Sequence, residues 1–184
     1  MKPLKIYIKR NKKNKGIAIG WNQAVEIAKE KIKPQILIKV DDDAEFMTPN
    51  WLKVMIEIFE RNRTLILSPY VEGLEDSPGG VLRRRMKGSP YVLINDRVLG
   101  IVPFLGGIVW ASPVEVYDDF RFPEDQFIVG NKDYIISQYA RSIGYSLFYV
   151  EELRVYHQEG TKRQHQRYPE YFKKQEELRK KKKV

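Results

Sequence analysis

The sequence predicts an α/β domain, because short apolar strands alternate along it with amphipathic helices. Leu4–Ile8 alternates apolar and polar side chains, which is typical of a half-buried strand. Trp21–Lys31 carries a broad apolar face at helical spacing. The next run, Ile36–Val40, is almost wholly apolar, as in a buried strand. With no internal repeat and no second core, these patterns predict one domain over residues 1–165 and a basic helix or tail over residues 166–184.

Further elements follow by the same reasoning. Thr48-Pro49 is predicted to begin a helix, with the hydroxyl as its N-cap and the proline in its first turn. Apolar residues then recur at helical spacing, so Trp51 is predicted to pack in the core. A buried strand is expected at Thr64–Leu67, stopped by Ser68-Pro69. The remaining predicted elements are a hairpin of Val81–Arg85 with Tyr91–Ile94, apolar segments at Val98–Phe104 and Ile108–Ala111, a short helix opened by Ser112-Pro113, a helix from Asn131 to Ile143 capped by Gly144, and strands at Tyr145–Val150 and Arg154–His157.

Composition narrows the class of protein. Of the 184 residues, 42% are hydrophobic and 31% are charged, which is typical of a globular rather than a disordered chain. No apolar run approaches the ~20 residues of a membrane-spanning helix, so a cytoplasmic protein is expected. The absence of cysteine excludes disulfides, cysteine-ligated zinc and thiol catalysis. Abundant lysine and glutamate without cysteine are an indication of a thermophilic source.

The net charge of +9 is concentrated at the two ends. Residues 1–16 carry seven basic and no acidic residues, and residues 173–184 carry seven basic and two acidic residues. The segment between them is mildly acidic. A dedicated nucleic-acid-binding fold would carry its charge on the folded face, so no specific nucleic acid is expected. Basic ends instead predict peripheral contact with anionic membranes or with phosphate-bearing ligands.

Three consecutive carboxylates, Asp41, Asp42 and Asp43, follow the apolar strand Ile36–Val40 directly. Adjacent like charges repel one another, and folding alone does not reward them. A divalent cation would explain them, because Mg²⁺ and Mn²⁺ prefer carboxylate oxygens, and strand ends in α/β sheets commonly hold ligands. The alternative is a solvated acidic turn that caps the next helix.

Five short motifs succeed one another over about residues 5–160. They are Asn14–Asn22, Asp41–Asp43 followed by Pro49–Leu52, Gly106-Gly107, Asp133 with Arg141 and Gly144 downstream, and a strand that ends in Val155-Tyr156-His157. In this order and spacing they resemble the family-2 glycosyltransferases of the GT-A fold. The resemblance implies a mixed, mostly parallel sheet flanked by helices. It also implies transfer of a hexose from a UDP- or GDP-linked donor to a glycan, protein or lipid-linked acceptor.

The resemblance implies a role for each matching residue. Asp133 would be the catalytic base, which implies inversion at the sugar; by itself it reads as a first-turn acid that favours the helix dipole. Mn²⁺ or Mg²⁺ would be held by Asp41, Asp43 and His157, although His157 also fits a structural histidine. The residues implied on the nucleotide-sugar side are Lys15, Asn22, Asp41 and Asp42, and those on the acceptor side are Gly106, Gly107 and Trp110, the last of which also fits the core.

Two departures from the family pattern are visible. Lys132 stands where the family has the glutamate of its Glu-Asp pair. The chain also starts where the second strand of the family falls, so it is expected to be a minimal member or a shortened one. Two other classes compete with this interpretation. One is a basic nucleic-acid-binding protein, and the other is a metal-dependent nuclease or nucleotidyltransferase that uses the same aspartates.

Overall fold

A computed structural model describes most of the chain. The described residues are 6–13, 15–72, 90–94, 96–124 and 132–157, with 169, 170, 173, 177 and 180 beyond them. The predicted strand at Val81–Arg85, the cap at Asn131 and nearly all of the basic tail lie outside these residues. None of the helices within the described ranges is both long enough and apolar enough to cross a membrane.

The described strands form one mixed sheet of seven. They are β1 (Ile36–Val40), β2 (Ala44–Phe46), β3 (Leu65–Glu72), β4 (Tyr91–Ile94), β5 (Arg97–Ile101), β6 (Val109–Pro113) and β7 (Ser146–His157). The order is β1-β6-β3-β7-β5-β4, and β2 pairs with the far end of β7. Within this sheet β3 and β7 are parallel and the other pairs are antiparallel. The prediction of a mixed sheet is confirmed, whereas its expected mostly parallel character is wrong, because hairpins and returning strands replace helical crossovers.

Helices cover both faces of the sheet. They are α1 (Ile17–Ile27), which continues into a π-helical turn (Ala28–Ile32), α2 (Trp51–Arg61), a 3₁₀ turn (Val114–Tyr117) and α3 (Lys132–Ser142). Met55, Ile58 and Phe59 of α2 pack on one face of the sheet. Both α1 and α3 contribute to a second core on the opposite face, for example through Val25 and Ile136. Gly144 follows α3 with a φ of 93°, which confirms the predicted left-handed helix end.

Several predicted boundaries are corrected by the structure. Residues 6–8 of the predicted first strand are not in a strand, and Ile6 and Ile8 are exposed. Pro69 does not stop β3, because the strand continues to Glu72 through a register shift after that proline. The two predicted strands at the end of the domain are the single strand β7, which bends at the same irregularity.

Thr48 does not cap α2. Asn50 precedes the helix in a left-handed conformation, and no side chain caps the first turn. The Thr48 hydroxyl instead donates to the Glu152 carbonyl oxygen at 3.0 Å and accepts from the Arg154 amide at 2.8 Å. The threonine therefore ties the segment before α2 to the bend of β7. Trp51 stacks on Phe46 at 3.7 Å and packs against the core, as predicted.

Candidate active site

The acidic cluster begins where β1 ends. The Asp41 amide donates to the Ile108 carbonyl oxygen at 2.9 Å, and the Ala44 amide donates back to the Asp41 carbonyl oxygen at 3.3 Å. This turn leads directly into β2. Asp41 and Asp43 are half-buried, whereas Asp42 is exposed. The predicted cluster therefore divides into two semi-enclosed carboxylates with one solvated carboxylate between them.

Asp43 faces His157, the last residue of β7. Their contact follows from the register, because β2 pairs Ala44 with His157. Nε2 of His157 lies 3.0 Å from Oδ2 of Asp43, and the imidazole is 5% exposed. Its Nδ1 is buried with no hydrogen-bond partner in the described structure. Such orphaned nitrogens are uncommon in folded proteins, and the metal-ligand role of His157 stays a prediction.

Asp41 has a different partner, which the sequence analysis did not identify. The Lys39 ammonium donates to Asp41 and to the Gly107 carbonyl oxygen, and it lies 5.1 Å from the centre of the Trp110 ring. Lys39 is 8% exposed. Burial raises the pKa of Asp41, and the neighbouring ammonium opposes that rise. The available signal was a single lysine within the otherwise apolar β1.

Asp133 lies in the first turn of α3 and reaches the same cluster. Its carboxylate packs directly against Gly107, since a Cβ added to that glycine would lie 2.6 Å from each carboxylate oxygen. Burial raises the pKa of Asp133, and the ammonium groups of Lys39 and Lys132 act in the opposite direction. Burial also lowers the pKa of Lys132. A raised carboxylate pKa in a charged, enclosed setting is typical of functional acids and bases.

Asn22 makes structural hydrogen bonds within the chain, and its predicted nucleotide contact stays a prediction. Its amide nitrogen donates to the Phe122 carbonyl oxygen at 2.9 Å and to Oε1 of Glu124 at 3.0 Å. Its oxygen accepts from the Phe122 amide at 3.0 Å. Both amide hydrogens are used, and the side chain is 5% exposed. The residue therefore joins α1 to the segment before Glu124.

Trp110 lies in the core, and its predicted contact on the acceptor side stays a prediction. It is 3% exposed, lies in the core beneath α1 and donates to the Tyr117 hydroxyl at 3.1 Å. The alternative of a core tryptophan is therefore correct for this residue. Lys15 and Gly106 are exposed. Their predicted contacts with donor and acceptor stay predictions.

The family is decided by a match over most of the sequence. The model for "Glycosyl transferase family 2" matches residues 2–121, which include the acidic cluster and the Gly106-Gly107 turn. The chain belongs to glycosyl transferase family 2. The predicted resemblance is thereby confirmed. No curated protein matches the sequence.

The fold of this family-2 chain is similar to that in the crystal structure of GalNAc-T7 with UDP, GalNAc and Mn²⁺. The two align with a TM-score of 0.60 at 19% sequence identity, over 81% of this chain and 31% of the other. The chain thus spans about a third of that protein's length. At this level of identity the likeness shows the fold, and it confirms the predicted GT-A architecture.

The residues present fit a divalent cation through a small set of ligands. No group of three or more histidine, cysteine or acidic side chains with metal-binding geometry occurs among the described residues. The facing pair of Asp43 and His157 supplies one carboxylate oxygen and one imidazole nitrogen, which suit Mn²⁺. Oxygens of a bound diphosphate would complete such a site, as is common for nucleotide-bound metal ions. Asp41 is already compensated by Lys39, so it fits this role less well than Asp43.

Proposed function

We propose that this chain is a metal-dependent glycosyltransferase that moves a sugar from a nucleoside diphosphate to an acceptor hydroxyl with inversion. The observation that carries the proposal is that Asp133 packs against Gly107 within electrostatic range of Asp41 and Lys39. Membership of glycosyl transferase family 2 supports the reaction class. In this proposal Asp133 serves the acceptor, and the carboxylates of the acidic cluster serve the donor.

The role proposed for Asp133 is that of general base. An ionised carboxylate there accepts the proton of the acceptor hydroxyl while that oxygen attacks the anomeric carbon. The bond from the anomeric carbon to the diphosphate oxygen breaks, and its electron pair leaves with the nucleoside diphosphate. A base on the side opposite the leaving group leads to inversion. The raised pKa of Asp133 suits the role, because a stronger base accepts the proton more readily.

Asp43 and His157 are proposed to hold the cation, either Mn²⁺ or Mg²⁺. When bound, the cation would neutralise charge on the diphosphate leaving group. Asp41 and Asp42 are proposed to face the ribose and the diphosphate, and Lys15 to approach the donor from the exposed start of α1. The Gly106-Gly107 turn is proposed to face the acceptor. The UDP present in the GalNAc-T7 structure makes UDP the first nucleotide to test.

A donor panel tests the proposal on the full chain. UDP- and GDP-linked sugars are incubated with Mn²⁺, with Mg²⁺ or with a chelator, and released nucleoside diphosphate is measured. We expect release with at least one donor, dependent on metal and lost in Asp133→Asn. Thermal shifts provide a second measurement, because a ligand that binds the folded state raises the melting temperature. UDP or GDP should stabilise the protein only with the metal. Release that persists in the chelator would contradict metal dependence, and no release with any donor would contradict the transferase proposal.

A further inference from the structure

Lys39 connects the two acidic parts of the candidate site. Its ammonium contacts the carboxylate of Asp41, which directly follows β1, and the carbonyl oxygen of Gly107 in the segment before β6. The Ile108 carbonyl oxygen lies at 3.5 Å on the same side. Three acceptor oxygens therefore surround the Lys39 ammonium, which also lies over the Trp110 ring.

The burial of this lysine needs an explanation beyond folding. Lys39 and Leu37 point to the same face of β1, since side chains alternate along a strand, and Leu37 packs against the core there. An apolar side chain would serve the core equally well, because a buried ion pair seldom stabilises more than apolar packing of similar volume. The lysine thus brings a charge to a place where the fold does not require one.

Gly107 transmits the contact to Asp133. The carbonyl of this glycine accepts from Lys39, while its Cα lies against the Asp133 carboxylate. Gly107 is therefore held by the Lys39 ammonium on one side and packs against the proposed base, Asp133, on the other. A shift of the Gly107 turn would move the surface on which the Asp133 carboxylate rests.

We propose that Lys39 is a positioning residue, which holds Asp41 and the Gly107 turn together and thereby fixes the Asp133 carboxylate relative to the acidic cluster. This inference rests on the proposed function, in which Asp133 is the base and the acidic cluster faces the donor. Lys39 itself touches no reacting atom in this scheme. Its effect on the reaction passes through Gly107 and Asp41.

Among the described residues, three charged groups influence Asp133. Lys39 lies on β1, Asp41 directly follows that strand, and Lys132 precedes Asp133 on α3. The ammonium of Lys39 lowers the pKa of Asp133, against the larger effect of burial. Removing that ammonium should therefore raise the pKa of Asp133 further. A measured rise in the pKa of Asp133 would therefore show the influence of Lys39 without an assay of sugar transfer.

The test compares Lys39→Met with Lys39→Arg and with a matched control, Lys29→Met. Lys29 also contacts one carboxylate and one carbonyl, at 2.7 Å from Oδ1 of Asp118 and 3.2 Å from the Tyr117 oxygen, but it lies on the π-helical turn. We expect Lys39→Met to lower kcat by about 10²-fold, as for a misplacement of about 1 Å, with a smaller change in the donor KM through Asp41. Lys39→Arg should recover part of the loss, and Lys29→Met should match the wild type.

Carboxyl titration by ¹³C NMR is the second measurement, with the Asp133 signal assigned by its absence in Asp133→Asn. The signal should titrate at higher pH in Lys39→Met than in the wild type or in Lys29→Met. An unchanged Asp133 titration in a folded Lys39→Met protein would overturn the inference, as would an unchanged kcat. A wild type that transfers no sugar would overturn the proposed function instead, and the titration would still decide whether Lys39 controls Asp133.

Discussion

The Asp133 carboxylate lies so close to Gly107 that no other residue fits at that position without displacing it. A Cβ there would lie 2.6 Å from both carboxylate oxygens, well inside van der Waals contact. Gly106, the preceding residue, has no atom of the described residues within 4 Å of its own Cβ position. A side chain at position 107 would therefore displace Asp133, whereas one at position 106 would meet no described atom. Alanine substitutions at the two positions can separate their roles.

Gly107→Ala should therefore displace the Asp133 carboxylate and lower kcat by about 10²-fold, the cost of a misplaced catalytic group. Gly106→Ala is the matched control and should retain near-normal turnover, since its methyl group meets open space. Steady-state kinetics on the two variants, with melting temperatures to confirm folding, provides the measurement. Equal turnover in both variants would contradict the placement of Asp133 as the base.

Asp133→Asn should lower kcat by about 10²–10⁴-fold while donor affinity stays close to that of the wild type, because a general base acts mainly in the transition state. Asparagine keeps the shape of the side chain and can still accept from backbone amides at the start of α3. Donor affinity is measured by calorimetry and turnover by nucleotide release. If Asp133 served only to favour the helix dipole, turnover would remain nearly normal.

Asp133 also links stability to pH. Because its folded pKa is raised by burial, the folded state binds the proton more tightly than the unfolded state does. Its contribution to the free energy of unfolding is complete below the unfolded pKa and is lost as pH rises through the folded pKa. Asp133→Asn should therefore gain stability over the wild type at neutral pH, and that gain should disappear in acid. Thermal melts across this range measure the effect; a uniform loss of stability at every pH would favour the capping role.

The acidic cluster and the family could be identified from the sequence because they depend on local order: an apolar strand followed by carboxylates, then motifs at fixed spacing. Lys39 could not be assigned in this way. Its partners include Gly107, which reaches it only when β6 pairs with β1. The hydrogen bonds of Asn22 could not be predicted either, since its partner Phe122 is 100 residues away in the sequence. Sequence reasoning therefore located the carboxylates but did not identify the groups that hold them in place.

Asn22→Ala tests that structural role. The change removes a donor and an acceptor from the buried Phe122 backbone, and an unsatisfied buried polar group costs about 1–3 kcal/mol of unfolding free energy. Gln23→Ala is the control, since that side chain is only partly buried and bonds to Asn11 at 3.0 Å. Urea denaturation measures both. Loss of UDP affinity in Asn22→Ala without loss of stability would contradict a purely structural role and support the predicted nucleotide contact.

The last prediction concerns the proposed metal ligands. Asp43→Ala and His157→Ala should each abolish the stabilisation of the protein by UDP with Mn²⁺, because either change removes one of the two facing ligands. The fold should persist in Asp43→Ala, because the side chain of Asp43, directly before β2, is only half-buried. Glu45→Ala is the matched control: it is also an acidic residue beside β7, but it is exposed and its register partner is Tyr156. Calorimetric titration of Mn²⁺ with UDP present should give wild-type affinity in Glu45→Ala and no measurable binding in the other two. Undiminished binding in Asp43→Ala would show that the cation, if required, is held elsewhere, and would leave the pair of Asp43 and His157 as a structural contact between β2 and β7.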